Sequence, residues 1–192
     1  AVWTQGAIRH TSVIPIAGDQ ITNDIAMALR TPTPEAEEIK RKYGCALSQL
    51  ADQAESIEVA GVDDRPSRKL SRRALADVIQ PRVEELYELI QNELRRAGFE
   101  EVLSSGIVLT GGASVMPGMI ELGEEIFHMP VRLGSPKYTG SLADVVQNPR
   151  FSTSFGLLLE AQAQRKRGQK IKEKQNVKDV FDGMKSWFAK NF

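Results

Sequence analysis

The amino-acid sequence predicts an α/β fold, and three stretches carry that expectation. Ile107-Val108-Leu109-Thr110 is a short apolar, β-branched run that breaks on Gly111-Gly112 and then Pro117-Gly118. An amphipathic segment, Met119 to Phe127, follows, giving the order strand, glycine turn, helix. Four such residues in a row suit a strand buried on both faces. Near the start, a β-branched run ends on Gly18 and leads into helical spacing, the same order again. Between the two lies a helix-rich stretch opened by Thr31-Pro32-Thr33-Pro34, which marks a crossing into a second unit.

In chain order, Val2 to Thr4, the turn Gln5-Gly6 and Ala7 to Ile16 predict a β-hairpin. Ile21, Ile25, Met27, Ala28 and Leu29 predict a helix running to about Arg30. Glu35 to Tyr43 is a charged helix closing on Gly44. Ser56 to Val62 alternates like a strand, and Lys69-Leu70 returns as another. Ser71 is placed to cap a long helix with one apolar stripe, ending near Gly98, and Pro81 is expected to kink or divide it. Phe99 to Ser104 leads back to the strand at Ile107. Val131 to Leu133 is a further strand, Asn148-Pro149 a break, and Phe151 to Gln164 the last globular helix. The elements before the Pro-rich crossing and after Ser104 are expected to share one sheet.

Composition sets limits. The 192 residues hold 25 basic and 25 acidic side chains and are 41% apolar. That is enough for one large domain or two small ones, with no global charge pointing to nucleic acid. No run reaches the ~18 apolar residues of a membrane span. Cys45 is the sole cysteine and cannot pair within the chain, which fits a reducing compartment. The chain opens at Ala1 inside a strand pattern, as expected of a fragment of a larger protein.

From Arg165 the composition changes to Lys, Arg, Gln and Gly, with Glu173 as the one acid up to Lys174, and reads as a solvated linker over 165–176. Then comes Val177 to Phe192. At ~100° per residue, Val177, Val180, Phe181, Met184, Trp187, Phe188 and Phe192 fall within an arc of roughly 140°. An aromatic amphipathic helix behind a basic tether suits a bilayer interface, with the tether drawn to anionic lipid. The competing expectation is a terminal helix that packs on the domain or in a partner's groove.

Several residues have chemistry to spare. Gly111-Gly112 allows positive φ and lets a flat ligand approach the main chain, at the strand end where α/β folds bind ligands. It is equally an ordinary βα turn, for it has neither the dinucleotide-fingerprint spacing nor the Lys-Ser/Thr of a P-loop. Gly18-Asp19 at a helix start presents N–H groups to an anion, unless Asp19 is simply an N-cap. Glu37 and Lys40 lie three apart on one helix face and in isolation read as a solvated ion pair. Arg65, Arg68, Arg72, Arg73 and Arg82 gather in the middle unit, as a solvated face or as a receptor for an acidic peptide. His10 and His128 have no carboxylate or cysteine at ligand spacing, so no metal site or nucleophile triad is expected.

Taken together, three stretches resemble the actin-like ATPases: Ile107 to Gly118 their adenosine motif, Ala17-Gly18-Asp19 their turn after the second phosphate loop, and Ala36-Glu37-Glu38-Ile39-Lys40-Arg41 their helix that reaches the adenosine. More narrowly, the whole chain resembles the second half of the FtsA family of bacterial cell-division proteins. The resemblance includes His10 to Ile16, Arg65-Pro66-Ser67-Arg68, Ile79-Gln80-Pro81-Arg82 and the aromatic C-terminal segment. It implies an actin-like (ribonuclease H-like) α/β fold: subdomain IIA at 1–31 and 104–164, IIB inserted at 32–103, a basic linker at 165–176 and a membrane-targeting helix at 177–192.

The same resemblance implies ATP binding, with Gly18, Glu37, Lys40, Arg41, Gly111 and Gly112 on the adenosine side, and Mg2+ with the half of the cleft that precedes Ala1. It implies that the middle unit receives the FtsZ C-terminal peptide, with Arg68 and Arg82 among the contacts. It also implies filaments, other division proteins as partners, and a place on the cytoplasmic face of the inner membrane at the septum. Both phosphate loops of the superfamily are missing, so at most a weak ATPase is expected of a full-length form and none of this chain. The runner-up is an ATP-dependent phosphotransferase of the same superfamily. The aromatic tail and the lack of an assignable acidic base argue against it.

Overall fold

The computed structural model describes residues 1–62 and 66–167, which divide into two compact units, 1–151 and the stretch from Ser152 onward. In the first unit, β1 (Val2–Thr4) and β2 (Ala7–His10) form an antiparallel hairpin turned by Gln5 and Gly6, both at positive φ. The second arm stops at His10 instead of Ile16, and beyond it Val13 is 92% exposed, so it gains no burial from further pairing. His10 Nε2 sits 2.9 Å from Glu93 and its ring packs on Phe99, tying the hairpin to the far end of the longest helix.

Helix α1 (Gly18–Leu29) follows, then α2 (Thr33–Tyr43), with Pro34 in its first turn, where a missing N–H costs nothing. β3 (Ser56–Val59) and β4 (Arg68–Ser71) form a second antiparallel ladder, three residues shorter at Val59 than the alternation suggests. Ser71 caps α3 (Arg72–Arg96) by accepting from the Ala74 N–H. Pro81 does not divide α3, which runs unbroken for 25 residues. An interior proline costs ~3 kcal/mol. Burial of Leu75, Ile79, Val83 and Tyr87 on one face offsets it, at ~1.5–3 kcal/mol per large apolar side chain. Glu100–Val102 is a 3-10 turn leading to β5 (Ile107–Leu109). α4 (Met119–Phe127), β6 (Val131–Leu133) and the short α5 (Ala143–Val146) complete the unit.

Two expectations about the sheet are corrected. Among the described residues there are three separate two-stranded ladders, and only β5 and β6 pair in parallel. The single sheet joining the N-terminal strands to β5 does not form. β5 is not buried on both faces either: Ile107 and Leu109 lean on the core, but Val108 is 47% exposed. The core lies between helices instead. Ile21, Ile25 and Leu29 of α1, the inner stripe of α3, and Met119, Leu122 and Phe127 of α4 form one cluster with Ile57 and Val59. Tyr87 spans it, its hydroxyl donating to the Met119 carbonyl at 2.9 Å and its ring stacking at a tilt on Phe127. Burial pushes the Tyr87 phenol pKa far above its ordinary value.

In the second unit, α6 (Ser152–Lys166) runs two residues beyond Gln164 and exposes Leu157, Leu158 and Leu159.

Candidate functional site: a basic cleft between two helix ends and a glycine turn

A cleft of ≈ 840 Å³ opens in the first unit, and Gly18, Glu37, Lys40, Arg41, Gly111 and Gly112 all line it. Three segments distant in sequence meet there: the first turn of α1, the last turns of α2, and the turn after β5. Lys40, Arg41, Lys42, Arg72 and Arg150 face Asp19 and Glu37, so the lining is basic. Among these, sequence reasoning overlooks Lys42 and Arg150; the only signal for Arg150 is its place just after the Asn148-Pro149 break.

Backbone geometry builds the glycine side. Gly111 has φ +96°, and its N–H donates to the Pro149 carbonyl at 3.2 Å. The Ser114 hydroxyl returns a 2.7 Å bond to the Gly111 carbonyl, closing the turn. Gly118 caps α4 at φ +85°, and a Cβ there would lie 2.6 Å from the Leu47 amide nitrogen. Only glycine lets the turn seat against the stretch after α2. Gly112 is different. It is helical at φ −65°, and a Cβ would meet nothing nearer than Arg150 Cβ at 4.0 Å. Neither conformation nor protein packing requires glycine there; its missing side chain leaves open space in the cleft.

The helix side is held by Lys40. In isolation the Glu37/Lys40 pair reads as solvated, but Lys40 is only 8% exposed. Its ammonium donates to the Gly18 carbonyl at 2.9 Å, the Thr22 hydroxyl at 2.7 Å and Glu37 Oε2 at 2.5 Å. All three protons are used, so Lys40 fixes the cleft wall and has none spare for a ligand. Thr22 donates onward to Glu37 at 2.6 Å. Desolvation pushes the Glu37 carboxyl up, but the hydrogen bonds from Lys40 and Thr22 and the charges of Lys40 and Arg41 hold it below the usual carboxylate range. Thr22 is absent from the sequence-derived set; its only signal is a polar residue beside Ile21 on the buried face of α1. Asp19 is not an N-cap. Ala17 holds that position, and its N–H donates to the Gln20 side chain at 2.8 Å.

The two arginines expected to hold a peptide lie outside the cleft. Arg82 is paired in a fork with Asp24 of α1, Nε to Oδ2 at 2.6 Å and Nη2 to Oδ1 at 3.0 Å, while Nη1 reaches Glu85. The Arg68 guanidinium donates to the Leu29 carbonyl at the end of the same helix. Val177, Val180, Phe181, Met184, Trp187, Phe188 and Phe192 fall outside the described residues.

Known proteins share this arrangement of elements. MreB 5 of Spiroplasma citri bound to AMPPNP superimposes with TM-score 0.60 at 18% identity, over 83% of this chain and 50% of that one. The same protein bound to ADP gives 0.54 over 77% and 47%. At that identity the likeness defines the class, an actin-like fold. Sequence comparison is more specific. The family model described as cell division protein FtsA matches residues 1–156. Cell division protein FtsA of Pseudomonas aeruginosa is 54% identical over all of this chain and 48% of its own length; those of Neisseria meningitidis and Escherichia coli K12 are 44% and 42% identical over the same shares. The chain belongs to the FtsA family of cell-division proteins. It spans about half the length of the curated relatives it matches.

Proposed function

We propose that this chain is the nucleotide-binding and partner-binding half of an actin-like membrane anchor, which ties the FtsZ ring to the cytoplasmic membrane at the division septum. The observation that carries the nucleotide reading is the convergence of Gly18, Glu37, Lys40, Arg41, Gly111 and Gly112 on one basic cleft. The residues fit ATP. The open space at Gly112 admits a flat base against the main chain, while Arg41, Arg150 and the first turn of α1 supply positive potential for its polyphosphate. Lys40 and Glu37 would set the wall and leave contact with the nucleotide to their neighbours. Mg2+ bound with the ATP would offset part of its polyphosphate charge.

The FtsZ C-terminal peptide would dock where Arg82 and Arg68 lie. Filament formation and recruitment of later division proteins belong to the same reading, and Val177 to Phe192 would provide the lipid anchor. Membership of a cell-division family favours this function over a phosphotransferase. The decisive test of the cleft is a labelled-ATP titration of the full-length protein. Gly112→Val should weaken binding at least tenfold while leaving the urea midpoint unchanged. Wild-type affinity in that variant would sink the nucleotide site.

A further inference from the structure

We infer that Asp24 is a built-in competitor for the acidic peptide, and that α1 thereby sets peptide binding against occupancy of the nucleotide cleft. The inference rests on the proposed peptide site and concerns its regulation.

Three observations meet on α1. Both arginines expected to receive the peptide spend their guanidinium groups on this one helix, Arg82 on the Asp24 carboxylate and Arg68 on the Leu29 carbonyl. The Asp24–Arg82 contact is a two-bond fork, the same geometry a peptide carboxylate would use, so the two carboxylates cannot hold that edge together. Glu85 occupies the remaining Nη1, which leaves an incoming acid to displace one partner or the other. The pair is also accessible, since Arg82 and Asp24 are 29% and 27% exposed, so exchange needs no unfolding.

The third observation is where α1 begins. Asp24 lies under two turns from Gly18, whose carbonyl Lys40 holds, and two residues from Thr22, which joins Lys40 to Glu37. Any ligand that orders the cleft wall also fixes α1, and so keeps Asp24 on Arg82. A peptide that draws Arg82 away favours a looser α1. By linkage each ligand then weakens the other by the same factor.

The test is fluorescence anisotropy with a labelled acidic peptide ending in a free carboxylate, using the full-length protein with and without saturating ATP. Asp24→Asn removes the competing charge and keeps an acceptor for Arg82. It should tighten the peptide by about three- to tenfold. Glu85→Gln, on the exposed side, should tighten it less. ATP should weaken the peptide in the wild type and have little effect in Asp24→Asn. Unchanged or weaker binding in both variants, or an equal ATP effect in wild type and Asp24→Asn, would overturn the inference. Arg82→Glu separates the two levels. If it binds as tightly as wild type, the peptide site itself is wrong. If it loses binding while Asp24→Asn gains none, the site stands and the competition fails.

Discussion

The ammonium of Lys40 lies 2.7 Å from the hydroxyl of Thr22, so the last turns of α2 are bolted to the second turn of α1 beside the cleft. With the bonds to Gly18 and Glu37 this makes a closed network around one buried cation. Lys40→Met should therefore cost stability. The Gly18 carbonyl and the Thr22 and Glu37 side chains would all lose a donor, and one unsatisfied group costs roughly 1–3 kcal/mol. A drop in the urea unfolding free energy of about 2 kcal/mol is expected. A neutral Lys40→Met variant would show that the network adds nothing.

The two glycines of the turn region should respond in opposite ways. Gly112→Ala adds a Cβ that meets nothing nearer than Arg150 Cβ at 4.0 Å, in a helical conformation, so folding stability should hold or rise by ~0.4–1 kcal/mol. Gly118→Ala puts a Cβ 2.6 Å from the Leu47 nitrogen at positive φ, and should cost about 2–4 kcal/mol. Paired thermal melts decide it. Equal losses in both would mean that Gly112 is structural too.

That contrast bears on what the sequence could show. The glycine pair and the helix residues Glu37 and Lys40 are legible because strand-glycine-helix order and i,i+3 spacing are local. All six candidate cleft residues do converge. What local pattern cannot say is whether a charged pair is solvated, and Lys40 turned out buried because α1 packs across it. Nor could it reveal that Arg82 already has a partner 58 positions away in Asp24. The sheet was misjudged for a related reason. The apolar and β-branched content of Ala7 to Ile16 and of Ile107 to Leu109 is real, but pairing depends on neighbours that local composition does not name. The Pro81 helix shows tertiary packing overriding a local rule.

Acid should loosen the unit in a defined window. For Glu37, desolvation raises the carboxyl pKa but Lys40 and Thr22 bring it below the ordinary value; for Glu93, hydrogen bonds from Arg96 and then His10 do so. A folded pKa below the unfolded one means stability that is fully present above the unfolded value, ~4.3 for glutamate, and lost as pH falls through the lower folded value. Urea midpoints should be flat with respect to these two groups from pH 7 to about 5 and fall below that. Glu37→Gln should lie below wild type at neutral pH and show a shallower acid slope. Parallel slopes would remove Glu37 from the account.

The Tyr87 hydroxyl makes a narrower test of the core. Tyr87→Phe keeps the ring against Phe127 and deletes the donor to the Met119 carbonyl. A loss of about 1 kcal/mol is expected, through one hydrogen bond without a cavity. Because Met119 opens α4, amide exchange should speed up at that helix start more than in α1. Uniform acceleration would mean that the bond acts on the whole unit alone.

The last prediction concerns Val177 to Phe192. Sixteen residues are near the marginal length for an isolated helix, and Gly183 costs ~1 kcal/mol more, so helicity in water should be low and rise on vesicles. Burying Phe181, Met184, Trp187 and Phe188 against lipid would offset that cost, at ~1.5–3 kcal/mol per fully buried large side chain and less at an interface. Lys178, Lys185 and Lys190 are nearly balanced by Asp179 and Asp182. Apolar insertion must then carry most of the binding, with Arg165 to Lys174 adding a part that salt screens. In liposome co-sedimentation of the full-length protein, Trp187→Glu with Phe188→Glu should abolish binding, and high salt should only reduce it. Binding that survives the double substitution yet vanishes in salt would make the basic tether, not the helix, the anchor.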